Sequence, residues 1–557
     1  MRIISSTSQL RLVGFLTVWL LALYTDAAAQ TRVAASAEQK TAQHFKSLRA
    51  QPLELYAFLR KMPKGGDLHL HLTGSVYAES YVEWAAKAKP DLCVDLTTLV
   101  LSPCDGSPRP PASNALNDGV LYRRMIDAWS MRNSELSGLS GHDQFFDAFG
   151  KFGAAGNNRY GDMVAELVSR AASEGVGYLE VMLTPDNGKS RTAGGKLEWP
   201  TDDQLAAMSK DELTAFFAKQ REELLAKGVV RPLAGEQTGA VQESKSTLDQ
   251  IEMKRKQLLN CDDANRAHPG CKVVVRYIFQ IARTAPHSQA FAQIVAAMET
   301  AKADSRLVGL NLVQAEDSRS AMSNFPLQMS MLDYINKVKE SDKEYEKAHI
   351  TLHAGELAPG LVPPEGLRFH IRDSVAKGHA KRIGHGVDIM YEDDPHALLE
   401  EMADKNVLVE VCLSSNDKIL GVRGKQHPLP IYLKYGVPVA LATDDLGISR
   451  SEMTQEYLKA VEDHDLGYTQ LKSMARASLE HAFIGGKSLW KNAKRPVVVR
   501  ECERDGAASN GERVSSECQR FLASNEKARL QWELEKAFAR FEKRCCQKPK
   551  NQATGRP

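Results

Sequence analysis

Eight short apolar runs separated by helix-like segments, with ionisable residues closing four of them, predict an α/β chain folded as a (β/α)8 TIM barrel with helical insertions and N- and C-terminal helical extensions. Apolar strands alternating with helices imply a parallel sheet, and eight such units are enough to close it. An open doubly wound sheet is the rival. The ionisable residues favour the barrel, because its downstream strand ends converge on one mouth, whereas an open sheet would spread them along an edge.

At 557 residues the chain exceeds one usual compact domain, but barrels with insertions reach this length. Hydrophobic residues make up 43% and charged residues 25%, with a formal net charge of +2. That balance gives no electrostatic case for nucleic acid and points to a small-molecule partner. Arg2 and Arg11 precede an apolar run from Leu12 to Tyr24, and Ala27-Ala28-Ala29 supplies the small residues of a cleavage site. Residues 1–29 therefore read as a secretory signal peptide, and the run is shorter than the roughly 20 residues of a membrane anchor. The expectation is an exported chain, periplasmic or secreted, with no membrane attachment once the signal is removed. Nine cysteines fit that destination. Cys93 and Cys104, Cys261 and Cys271, and Cys502 and Cys518 are near neighbours that could close loops, although sequence leaves connectivity open. Cys412, inside an apolar run, reads as a reduced core residue. No Cys-x-x-Cys pair occurs, which removes the cysteine-ligated zinc sites of small fingers and of the cytidine-deaminase type.

Taken in order, residues 30–61 form an N-terminal helical extension, helix-like from Ser36 to Arg60 on the spacing of Phe45, Leu48, Leu53, Leu55, Phe58 and Leu59. Residues 62–500 form the barrel. The first strand ends at Asp67-Leu68-His69-Leu70-His71, between Gly65-Gly66 and Thr73-Gly74. The stretch 91–118, rich in Pro, Ser and Asp, reads as a loop, and residues 119–175 as mostly helical. The second strand runs through 177–185. Residues 186–265 read as a helical insertion, with helix starts at Thr201-x-x-Gln204 and Ser209-x-x-Glu212. Six further strands follow, at 272–279, 307–313, 349–353, 382–385, 407–413 and 437–443. Residues 501–557 form a C-terminal helical extension and basic tail.

The chemistry begins with His69 and His71. Strand side chains alternate, so two histidines one residue apart share a face and could reach one ion. His353 and Asp444 close later strands, and with the pair they make a His and carboxylate set of the kind that holds catalytic zinc while leaving a position for water. Each alone has a plainer reading, a satisfied core histidine or an aspartate capping a helix. Glu356 could shuttle a proton to substrate, His385 could approach the water, and Asp445 could accept a hydrogen bond from substrate. A metal lowers the pKa of bound water from about 15.7 to about 7.

Met62-Pro63-Lys64-Gly65-Gly66-Asp67-Leu68-His69-Leu70-His71, His353-Ala354-Gly355-Glu356, Arg382-Ile383-Gly384-His385-Gly386 and Thr443-Asp444-Asp445 together resemble the adenosine deaminase family of metal-dependent amidohydrolases. The Pro-Lys-Gly lead-in, signal peptide and long insertions resemble its secreted, growth-factor-related branch. The resemblance implies one zinc ion per chain on His69, His71, His353 and Asp444, and hydrolysis of adenosine, with deoxyadenosine, to inosine and ammonia. It implies that Glu356 protonates ring N1, that His385 assists the water, that Asp445 holds N7, and that Asp444 is also a proton acceptor. His71, Thr73 and Gln314 join Asp445 as substrate contacts. Two positions depart from the family: Thr73 stands where cytosolic members have an acidic ribose ligand, and Gln314 where a glycine amide meets N3. Another 6-aminopurine, such as a 5′-modified adenosine, AMP or adenine, is therefore an alternative substrate. A non-catalytic extracellular nucleoside-binding protein is the alternative outside enzymes. Oligomeric state is open, a homodimer included.

Overall fold

A computed structural model describes residues 36–492, 497–505 and 514–545. The expected signal peptide lies outside the described residues, as does the end of the basic tail. Eight strands run in chain order around one sheet: β1 (Gly65–His71), β2 (Val176–Leu183), β3 (Val274–Ala282), β4 (Leu307–Val313), β5 (His349–Ala354), β6 (Arg382–His385), β7 (Leu408–Val411) and β8 (Val439–Leu441). All neighbouring pairs are parallel. The sheet closes on itself just beyond β8. Leu70 bridges to Asp444, and the Asp444 N–H donates to the His69 carbonyl at 2.8 Å. A closed sheet has no edge, which rules out the open doubly wound alternative.

The strands are apolar on both faces, as burial between an interior and a helical layer requires. β4, for example, is buried throughout. Polar exceptions sit inside the barrel. Arg382 on β6 donates to Glu180 on β2 at 2.6 Å and to Glu410 on β7 at 2.5 Å, all three side chains being fully buried. The Arg382 guanidinium also lies 3.7 Å from the centroid of the Phe483 ring. Such a triad is tolerable only because each charge is paired and hydrogen-bonded.

Helix Tyr468–Glu480 packs against β1 and β8 and carries the chain extensions. N-terminal helices Ala37–Leu48 and Pro52–Lys61 bury Phe45 and Phe58 beside Tyr468, and Phe541 of helix Glu526–Cys545 stands 5.0 Å from Phe58 between ring centroids. The two extensions thus meet on one side of the barrel. A satellite core of Leu489, Trp490, Leu522 and Trp532 surrounds the Cys502–Cys518 disulfide. Cys93 pairs with Cys104 and Cys261 with Cys271, while Cys412 is buried and unbridged.

Three local expectations change. The 91–118 stretch is more than a loop, because Leu92–Val94 pairs antiparallel with Leu101–Pro103 as a ribbon tied by Cys93–Cys104. The runs at 407–413 and 437–443 overshoot their strands, since the backbone turns into the site at those points: Leu413 starts helix Leu413–Leu420, and Asp444 has a left-handed φ of 55°. In residues 186–265, both capping boxes form, at Thr201/Gln204 and Ser209/Glu212. Helix Ala240–Leu258 of that stretch belongs to the barrel wall, packed on helices Tyr160–Ser173 and His287–Ala303. Its approach is close enough that a Cβ on Gly161 would lie 2.5 Å from Lys254 Cβ.

Candidate metal centre and active site

The side chains of His69, His71, His353 and Asp444 offer ligand atoms that all lie within 4.8 Å of one another at the mouth of the barrel. Alternation along β1 puts both histidines on the interior face. Asp67, two residues earlier on that face, accepts the Thr443 hydroxyl at 2.6 Å and so ties the end of β8 to β1. Asp444 Oδ1 is 3.4 Å from Nε2 of both His69 and His71, and His71 Nε2 is 3.1 Å from His353 Nε2.

Surrounding groups decide what those nitrogens can do. Asn311 Oδ1 accepts the His353 backbone N–H at 2.9 Å and lies 3.0 Å from His353 Nδ1. Because the backbone N–H identifies that amide atom as oxygen, Nδ1 must carry the imidazole proton, leaving the Nε2 lone pair turned toward the centre. His69 Nδ1 is 2.6 Å from Glu410 Oε2, and its Nε2 is a buried atom with no hydrogen-bond partner. The Gln280 carboxamide lies 2.6 Å from His71 Nδ1. Each ring is thus fixed from behind, as ligating histidines are.

Electrostatics point the same way. Burial lowers the pKa of His71 to about 4 and that of His353 well below the ordinary value, so both rings are neutral and free to ligate. Burial also opposes charge on His69, but Asp444 and Glu410 outweigh it and hold that ring up to about 10. The field that binds a proton there favours any cation. Three neutral or anion-backed imidazoles with one carboxylate fit a catalytic divalent ion, zinc among those the donor set suits.

A cavity of about 720 Å³ opens over this centre, lined by His71, Thr73, Gln314, His353, Glu356, Asp444 and Asp445, with Phe145, Phe146 and Phe149 as an apolar wall. Glu316 accepts the backbone N–H groups of Gly355 and Glu356 at 3.2 and 2.8 Å, which aims Glu356 inward. Burial, then Asp444 and Glu316, raise the Glu356 pKa well above the carboxylate range. His385 lies behind it, Nε2 to Glu356 Oε1 being 3.7 Å. Asp445 Oδ1 is buried without a partner, and burial followed by Asp444 raises its pKa too. A raised pKa favours the protonated form of Asp445, whose hydroxyl can donate a hydrogen bond while its carbonyl oxygen can accept one. Gln314, His385 and Asp444 all hold left-handed backbones, with φ of 85°, 69° and 55°. Such conformations concentrate at functional sites. The Gln314 side chain, part of the cavity wall, turns to accept the Thr284 N–H at 3.2 Å.

Glu180, Gln280, Asn311, Glu316, Arg382, Glu410 and Asn416 support this site without having been read from sequence as site residues. Glu410 left a signal, a lone carboxylate inside Val407–Leu413, since unpaired charges are almost never fully buried.

Residues 245–491 match the family model described as adenosine deaminase. This part of the chain is similar to the adenosine deaminase family. The adenosine deaminase match takes in His353, Glu356, His385, Asp444 and Asp445 but begins after β1. Geometry joins the rest, because His71 meets His353 and His69 meets Asp444. An adenosine deaminase of Escherichia coli strain SMS-3-5 is 31% identical over 169 residues, 30% of this chain and 45% of the relative. That of strain SE11 is 33% identical over 152 residues, 27% of this chain and 42% of the relative. The chain thus spans less than half the length of these curated relatives. Among solved structures, an N6-methyl-AMP deaminase from Arabidopsis thaliana aligns with a TM-score of 0.46 at 19% identity, over 77% of this chain and 94% of that one. An adenine deaminase from Arthrobacter aurescens aligns at 0.43 and 16%, over 76% and 94%.

Proposed function

We propose that this chain is an exported hydrolytic deaminase that converts adenosine, and deoxyadenosine with it, to inosine and ammonia. The observation that carries the reading is the Glu356 carboxyl beside His385 Nε2, at 3.7 Å, over four converging ligand atoms. His69, His71 and His353 through Nε2, and Asp444 through Oδ1, would hold one zinc ion per chain. When bound, such an ion supplies an activated water at neutral pH.

The chain's own residues do the rest. Glu356, kept protonated, gives its proton to ring N1, which withdraws electrons from C6 and prepares it for attack. N7 of the purine is an acceptor, so Asp445 holds it in its protonated form, and His71, Thr73 and Gln314 complete the walls around base and ribose. Asp444, besides ligating, has the carboxylate that can take a proton from the water. His385 steadies the attacking oxygen. The exocyclic nitrogen leaves as ammonia after gaining the proton that Asp444 took from the water, and the remaining hydroxyl proton at C6 returns to Glu356 as the C6 carbonyl forms.

Thr73 favours a second reading of substrate, not of chemistry. A hydroxyl there grips a ribose hydroxyl less strongly than a carboxylate would, so a 6-aminopurine recognised elsewhere, such as AMP or a 5′-modified adenosine, competes with adenosine. Three closed disulfides support export to an oxidising compartment.

The test is loss of adenosine absorbance with purified protein of known metal content, run beside deoxyadenosine, adenine, AMP and 5′-methylthioadenosine. Turnover of adenosine that chelation abolishes supports the proposal. Turnover of another member instead moves the substrate. Inertness of metal-loaded protein toward all of them overturns the enzymatic reading in favour of a nucleoside-binding protein.

A further inference from the structure

His385 is held by a chain of hydrogen bonds that starts on a backbone amide. The Leu429 N–H donates to His427 Nδ1 at 3.1 Å. A backbone N–H can only donate, so His427 Nδ1 carries a lone pair, the ring is neutral, and its proton is on Nε2. That Nε2 lies 3.2 Å from one end of the Asn416 carboxamide, which must therefore be the oxygen. The amide nitrogen then faces His385 Nδ1 at 3.0 Å. An amide nitrogen can only donate, so His385 Nδ1 is also an acceptor and its ring proton sits on Nε2. This ordering needs no choice of flip or tautomer, because every assignment follows from the one before it.

The consequence lies at the other end of the chain. His385 Nε2 is buried and has no hydrogen-bond partner among the described residues, and it faces the cluster formed with Glu356 and Asp444. Its N–H is therefore aimed at the place where the attacking oxygen would stand. The same short helix, Leu429–Tyr435, fixes His385 from a second side, since the Tyr432 hydroxyl donates to the Gly386 carbonyl at 2.6 Å. A Cβ on Gly386 would lie 2.5 Å from that hydroxyl, so the fit is close.

We propose that Asn416 and His427 are positioning residues which, anchored on the Leu429 amide, lock His385 as its Nε2–H tautomer, so that it donates a hydrogen bond to the attacking oxygen and does not take that oxygen's proton. The proton then leaves to a carboxylate. Neither Asn416 nor His427 touches the cavity over the metal centre. The consequence for turnover rests on the deaminase reading; the tautomer does not.

The experiment uses full-length, metal-loaded protein with 15N-labelled histidine. Long-range 1H–15N correlations read the protonation of each ring nitrogen, and the His385→Gln variant assigns the His385 signals. Wild-type protein is expected to show His385 protonated on Nε2 and bare on Nδ1. In Asn416→Asp a carboxylate replaces the donor, so the proton should move to His385 Nδ1. Where aminopurine turnover is measurable, kcat should fall about 100-fold, as on losing one preorganised donor to a developing oxyanion, with KM changed less than about threefold. His427→Ala should lose about tenfold in kcat, the lower end of what losing an outer-shell partner costs. His427→Gln, which keeps a donor toward Asn416, should recover most of it. A wild-type His385 carrying its proton on Nδ1 overturns the proposal, as does an Asn416→Asp protein with unchanged tautomer and kcat. Should Asn416→Asp fail to fold, the wild-type spectrum decides alone. It also decides if no aminopurine is turned over, which separates this inference from the deaminase reading.

Discussion

Gly384 lies against the His69 ring so closely that a Cβ at position 384 would stand 2.6 Å from His69 Cε1 and 2.9 Å from Nδ1. The ring is not free to retreat, because its Nδ1 is tied to Glu410 Oε2 at 2.6 Å. Glycine at 384 is therefore part of the metal centre although it offers no ligand. Gly384→Ala should fold, since the clash is confined to one ring, but should push His69 Nε2 off the point it shares with Asp444. Metal content after dialysis against a weak chelator is expected to fall at least tenfold, the scale of losses when a ligand's support is disturbed. Wild-type retention would show that His69 is no ligand.

Glu410 joins two systems, the His69 ring and the buried Arg382. Glu410→Gln keeps the shape and removes the charge. Metal affinity should drop by about 10- to 100-fold as the imidazole loses its anionic partner. Stability should fall as well, by an amount nearer the lower end of the 3–5 kcal/mol typical of a broken buried pair, because Glu180 still pairs Arg382 at 2.6 Å. Metal titration and denaturant unfolding of the same preparation measure both effects. An unchanged metal affinity with reduced stability would assign Glu410 to the core alone.

Glu356 separates binding from chemistry. It lies outside the His69, His71, His353 and Asp444 set, so Glu356→Gln should retain the ion at wild-type stoichiometry. An amide cannot release a proton to N1, and kcat should fall by about 10² to 10⁴. Near-normal turnover by metal-replete variant protein would remove Glu356 from the reaction.

What the sequence made visible followed simple periodicities. His69 and His71 declared themselves through the two-residue repeat of a strand, and His353 and Asp444 through their place at the ends of apolar runs. Their supporters were hidden for the same reason. Asn311 and Glu410 sit within runs whose neighbours are all apolar, and Gln280 lies at the end of a strand that runs three residues beyond the apolar stretch that signalled it. Helix Ala240–Leu258 was read as part of an insertion because the face it buries includes Ser244, Thr247 and Arg255 beside Leu248 and Ile251, so no apolar stripe marks it as barrel wall. The ribbon at Leu92–Val94 escaped because three-residue strands are too short to alternate. That the Gln314 side chain folds back onto Thr284 is likewise a matter of rotamer that sequence does not show.

The disulfides test whether the fold depends on the compartment proposed for it. Their partners are 10, 11 and 16 residues apart, short loops whose closure restricts the unfolded chain by about 2–3 kcal/mol each in the loop-entropy treatment. None of the six cysteines lines the cavity over the metal centre. Reduction should therefore lower the unfolding midpoint while leaving kcat and metal content of the folded protein intact at ambient temperature. Peptide mapping of protein matured in an oxidising compartment should recover Cys93–Cys104, Cys261–Cys271 and Cys502–Cys518 as linked pairs. Protein made in a reducing cytoplasm should carry these thiols free and unfold earlier in denaturant. Equal stability of the two preparations would remove the disulfides as a reason for export.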